Sequence, residues 1–151
     1  MVNFAVCKFR EGLVPDDFKP YFADWDQHGA SVNDTIDTAS KVGSDNGVDI
    51  MKILIKAPWP IWQRLMFTTS YLELDQEDGS HLLLMCSDGN EQYTNNPEIY
   101  TEHDKGNYVL ATVYCIGTLV QPVKDDGGNI TGVKVMYYSM VEAGGAIPTW
   151  V

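Results

Sequence analysis

Three histidines and three cysteines are the residues most able to do chemistry, and none is spaced for it. His28, His81 and His103 stand far apart, and none has a second histidine at metal-ligand spacing. Glu102-His103-Asp104 reads as a solvated loop, and His81, opening an apolar run, reads as a surface histidine. Cys7, Cys86 and Cys115 form no Cys-x-x-Cys pair and each lies in an apolar, strand-like run, so they read as buried, reduced thiols. There is no Gly-x-Ser-x-Gly elbow, no phosphate-binding glycine loop and no EF-hand loop. Gly127-Gly128 is a turn without the following helix that phosphate binding needs. The acids are scattered, so spacing pairs no two of them for acid–base work. No positive case for an enzyme, a metal or a cofactor follows from these residues.

The elements that would position any site read as strands. Gly43-Ser44-Asp45-Asn46-Gly47 holds the Asn-Gly pair that tight hairpins favour, and Glu77-Asp78-Gly79-Ser80, Ser87-Asp88-Gly89-Asn90 and Asp125 to Asn129 are further turn signals. Between them lie β-prone runs at 31–42, 48–57, 65–74, 81–87, 108–119 and 131–142, the order of an antiparallel meander. One short or bent helix is expected over 15–25. Pro15 and two acids suit its first turn, Phe18, Phe22 and Trp25 form one stripe, and Pro20 interrupts it.

Alternation assigns faces to the strands. Lysines mark the solvent side, which leaves Met51, Ile53, Ile55 and Ala57 facing inward, with Val133, Val135, Tyr137 and Ser139 on 131–142 and Val109, Ala111, Val113 and Cys115 on 108–119.

A length of 151 residues favours one domain over 1–151, large enough to bury a core without disulfides or metal. A net charge of −11 argues against nucleic acid and against lasting attachment to an anionic membrane. No apolar run approaches the ~20 residues of a membrane span, and Met1-Val2-Asn3-Phe4 opens no secretory signal, so a cytoplasmic location is expected.

Four stretches carry a resemblance. Ala57-Pro58-Trp59-Pro60 is followed by Arg64 leading the next strand. Gly144-Gly145-Ala146-Ile147-Pro148 closes the chain. Trp25-Asp26 follows the first helix, and Gly106-Asn107-Tyr108-Val109-Leu110-Ala111 precedes Gly117 and Pro122. In this order they resemble the START (StAR-related lipid transfer) domain family over nearly the whole chain. The resemblance implies an α+β helix-grip fold, a curved antiparallel sheet around a tunnel that holds a lipid or other hydrophobic small molecule. Trp25, Pro58, Pro60, Arg64, Gly144, Gly145 and Pro148 would then be structural, and the inward sets, joined by Met66, Thr68 and Ser70, would line the tunnel.

Three positions depart from the family. Leu65 replaces the Asp after Arg64, Leu110 replaces an Arg, and Ser70 stands where the sterol-binding branch has a buried Arg. A less ionic pocket turns the expectation from sterol toward a lipid with little charge or a different head group. The chain also ends where the family's C-terminal lid helix would begin, and it is expected to start after the family's first helix and a strand. That leaves three arrangements: a piece of a longer product, a homodimer covering the open sheet face, or a repacked sheet without a cavity. Transient membrane contact goes with lipid transfer. A ligand-free module for protein interaction is the alternative. Related helix-grip enzymes would need polar groups converging in the cavity, and Thr68, Ser70, Tyr137 and Ser139 are the candidates, none with a base to activate it.

Overall fold

The computed structural model describes residues 2–24, 27–28, 34–57, 61–87 and 108–145. Eight strands form one curved, open sheet: β1 (Val2–Glu11), β2 (Ile36–Asp45), β3 (Val48–Ile55), β4 (Gln63–Glu73), β5 (His81–Cys86), β6 (Tyr108–Leu110), β7 (Thr112–Lys124) and β8 (Ile130–Glu142). Their order is β1-β8-β7-β5-β4-β3-β2, with short β6 running parallel to the start of β4. β2 to β5, β7 and β8 follow the expected meander, but the single strand expected over 108–119 is divided at Ala111 into β6 and β7. β1, for which the sequence reading held no element, adds antiparallel to β8 at the far edge.

Local chemistry explains the connections. Asn46 and Gly47 take φ of 50° and 81°, the left-handed pair that joins Asp45 to Val48 in a two-residue hairpin. Asp125 closes the β7–β8 turn by accepting N–H bonds from Gly127 and Asn129, both at 2.9 Å. Where β5 ends, Ser87 Oγ donates to the Phe67 carbonyl at 2.8 Å and accepts the Val113 N–H at 3.0 Å, tying β4 to β7.

The expected helix is split. A 3₁₀ turn covers Pro15–Phe18, and α1 covers Lys19–Ala23 with a proline in its first turn. Pro20 therefore starts a helix instead of breaking one. Asp17 accepts the Val14 N–H at 2.9 Å and anchors the entry. Phe22, 8% exposed, points onto the sheet. Trp25, the last residue of the predicted stripe, lies outside the described residues, as do Pro58, Pro60 and Pro148.

The core lies between α1 and the inner sheet face, around Met51, Ile53, Met66, Leu83, Met85 and Val113. The outer face of the β3–β4 pair is buried too, through Leu54, Leu65 and Phe67 with Val42 and Tyr108 packed on them. This corrects the use of lysines as solvent markers: Lys52, on that outer face, is only 4% exposed. The thiols also differ from expectation. Cys7 is exposed because β1 is an edge strand, and Cys86 and Cys115 are half-buried; all are free. Among the described residues no helix is long and apolar enough to cross a membrane.

Candidate functional site

Two adjoining cavities form a trough on the inner face. The first, about 320 Å³, is walled largely by apolar side chains from β2, β3, β4, β5, β7 and β8, with Phe22 above it. The second, about 380 Å³, lies toward the β2–β3 hairpin and holds Met51, Ser70 and Leu72 beside the Lys41–Asp49 ion pair at 2.6 Å. Phe22 and Leu83 line both, so the two meet beneath α1. Each is within the ~300–1,000 Å³ usual for small-molecule sites.

The sheet brings together part of the set assigned by sequence. Ile53, Ile55, Met66, Ala111, Tyr137 and Ser139 line the first cavity, and Met51 and Ser70 the second. Thr68, Val113 and Val133 are fully packed, with Val135 half-buried against the same core. Val109 sits against Gly144 and Gly145 and lines neither of these two cavities. Cys115 belongs to the opposite face, in an apolar groove with Cys7, Leu84 and Met136. The cause is a bulge: Val113 pairs with Val141 but Cys115 with Met140, so the extra residue Tyr114 reverses the alternation. Ile116 and Thr118 thereby turn inward and line the cavity. Strict alternation could not show this.

Leu83 and Met85 were also missed, since Leu82-Leu83-Leu84-Met85 is apolar on both sides. Thr35, Ile36 and Val141, within the runs expected at 31–42 and 131–142 but not assigned inward, complete the wall with Ala143.

Arg64, the family-motif arginine, contributes to the wall of the first cavity and is 9% exposed. One guanidinium nitrogen donates to the Trp62 carbonyl, while its Nε has no partner among the described residues. The Ser70 hydroxyl is likewise shielded from solvent and unpartnered.

A polar cluster fixes α1 over the trough. Lys19 Nζ bridges Asp16 at 3.1 Å and Asp75 at 2.6 Å. His81, expected at the surface, is fully buried. Its Nδ1 accepts the Asp75 N–H at 3.0 Å and its Nε2 faces Asp16 Oδ1 at 3.3 Å. The Ser80 carbonyl is 2.9 Å from the same Nδ1, so this nitrogen meets a backbone donor and a backbone acceptor, each served by a different tautomer. Asp16, Asp75 and His81 stand close enough to hold a metal. However, the Lys19 ammonium already lies between the two carboxylates.

These contacts set a pH dependence. Asp16 is held below its ordinary 3.8, chiefly by Lys19; Asp78, chiefly by the Ser80 hydroxyl; and Asp125, chiefly by the Asn129 N–H. A lowered carboxylate stabilises the fold fully above the unfolded value of 3.8, and the contribution is lost as pH falls through the lower folded value. Lys19 is raised above 10.5, chiefly by Asp75, so its contribution is lost only as pH rises past that folded value. The expected result is a melting temperature that drops below pH 3.8. Asp125→Ala should lower the neutral-pH melting temperature and flatten part of the acid drop, as followed by circular dichroism.

Compared by sequence, the chain matches no protein-family model and no curated protein. Compared by structure, it matches the human StarD13 (DLC2) lipid transfer and protein localization domain at a TM-score of 0.70 and 14% identity. It matches human STARD10 at 0.73 and 11%, and a STAR-related lipid transfer protein of Xanthomonas axonopodis at 0.63 and 17%. Each match covers 98% of this chain. The chain has a START-like fold. It spans 66% of the StarD13 structure, 54% of the STARD10 structure and 73% of the Xanthomonas structure. In this START-like sheet Gly144 and Gly145 both take left-handed backbone, with φ of 65° and 60°, and pass against Val109 and Leu110. That is the close approach the closing motif implied.

Proposed function

We propose that this chain is a single START-like unit that holds a lipid or similar hydrophobic molecule in the trough. The observation that carries the reading is the first cavity, an apolar hollow of about 320 Å³ on the inner face of the sheet. Burial of an acyl or ring system there is favourable by roughly 25 cal/mol per Å² before the costs of association. The neighbouring folds, among them a lipid transfer domain and a lipid transfer protein by description, support the same reading. No chemistry is assigned: Tyr137 and Ser139 line the cavity, but no base stands ready among the described residues to activate a hydroxyl.

The ligand is loaded and released at a membrane contacted only transiently, in keeping with a chain of net charge −11, and the protein works in the cytoplasm. A second copy covers the open inner face in the ligand-free state. Native mass spectrometry of protein purified without added lipid, followed by denaturing extraction, tests the reading. A discrete extra mass that extracts as one lipid class is expected. A bare mass, and no uptake from offered lipid, would overturn it and leave the interaction-module reading.

A further inference from the structure

Among the described residues, the trough has a solvent-shielded polar atom without a partner at each end, while the Thr118 and Ser139 hydroxyls line the first cavity in the open. Arg64 and Ser70 lie on the same strand, β4, and on its same inner face, since residues alternate. They are six positions apart, about 20 Å along the strand. Arg64 lines one cavity and Ser70 the other. The Arg64 Nε and the Ser70 Oγ are the two buried side-chain polar atoms left without a hydrogen bond among the described residues. Thr68, midway, is already satisfied against Met85 Sδ at 4.0 Å. Between the two ends stand the buried side chains of Met51, Met66, Leu83 and Phe22, of which Leu83 and Phe22 line both cavities.

A buried polar group without a partner costs free energy, and a buried cation costs more. None of the ion pairs among the described residues includes Arg64. With one nitrogen held by the Trp62 carbonyl, the Nε edge of the planar guanidinium remains for a carboxylate. The Ser70 hydroxyl can donate and accept, and suits an alcohol.

Resting on the reading that the trough binds an apolar ligand, we infer that this ligand is a two-ended amphiphile: a long chain with a carboxylate at Arg64 and a second hydrogen-bonding group, an alcohol, at Ser70. It passes beneath Phe22, which both cavities share. The length of β4 between the two residues sets the chain length. A shorter molecule reaches only one polar end, and a one-ended molecule leaves Ser70 unpaired.

The test is displacement of Nile red, a neutral apolar dye, by palmitic acid, ω-hydroxypalmitic acid and the methyl ester of the latter. The hydroxy acid should displace the dye from the wild-type chain at about tenfold lower concentration than palmitic acid, the worth of one hydrogen bond to an otherwise unpaired buried group. Ser70→Ala should remove that advantage and leave palmitic acid unchanged. The methyl ester should bind the wild type about tenfold more weakly than the hydroxy acid, and Arg64→Met should equalise the two. If Arg64→Met does not fold, the ester comparison on the wild type still decides the acid end. Equal displacement by palmitic and ω-hydroxypalmitic acid, or an advantage that survives Ser70→Ala, overturns the two-ended ligand while the trough reading stands. Failure of the wild type to bind Nile red or any of the acids removes the trough reading, and this inference with it.

Discussion

Thr118→Trp is expected to weaken ligand binding about a hundredfold and leave the sheet folded. Thr118 lines the first cavity from β7, turned inward by the Tyr114 bulge, and is half-buried at a wall, not packed in the core. An indole there would occupy much of a cavity of about 320 Å³. Excluding on the order of 100 Å² of ligand surface removes roughly 2.5 kcal/mol, about a hundredfold in affinity. Because the indole enters existing space, the strain of overpacking, about 1–3 kcal/mol where no space exists, is largely avoided. Nile red titration measures the loss, and far- and near-ultraviolet circular dichroism checks the fold. Wild-type affinity in a folded Thr118→Trp protein would place the ligand elsewhere. The same change at Cys115, three residues away but on the outer face, should leave binding intact.

The second large effect is on stability. Gly144→Ala should cost about 2–4 kcal/mol, the sum of left-handed backbone strain and a forced steric contact. Gly144 has φ of 65°, and a Cβ there would overlap the Leu110 carbonyl oxygen and press on Val109 at 3.1 Å. Neither neighbour yields easily: Leu110 ends β6, which is hydrogen-bonded to β4, and the next residue, Ala111, donates to the Leu65 carbonyl at 3.0 Å. In a domain of this size the loss corresponds to a fall in melting temperature of about 5–15 °C. Gly128→Ala is the control. It too has a positive φ, 84°, but nothing lies within 4 Å of its Cβ, so only the backbone term remains. Equal losses at the two positions would mean that close packing at Gly144 contributes nothing.

Much of the architecture was legible from local chemistry. Asn46-Gly47, Asp125 to Asn129 and the glycine pair at 144–145 name their own turns, because few residue types tolerate left-handed backbone or close an Asx turn. Met51, Ile53 and Ile55 of β3 do share the inward face that alternation assigned them, although the lysine marker opposite them, Lys52, is itself buried. The motif order around Arg64 and Gly144-Gly145 carried the resemblance to START domains, and the fold agrees with it. Strand β1 was not legible: Lys8 and Arg10 read as polar, and a strand at an edge need not show a buried face.

What the sequence by itself determined is therefore the chain's local geometry: where it turns, which runs extend, and that Phe22 faces apolar surroundings. What only the tertiary structure decided is every property that depends on neighbours distant in the chain. The bulge at Tyr114 exists because two strands pair, and it alone puts Thr118 in the cavity and Cys115 outside it. Lys52 is buried and His81 is buried because other segments cover them, which alternation within one strand cannot report. Arg64 and Ser70 are ordinary polar residues in the sequence. They become the two unpaired ends of one trough only when the sheet curves beneath α1 and shields them from water.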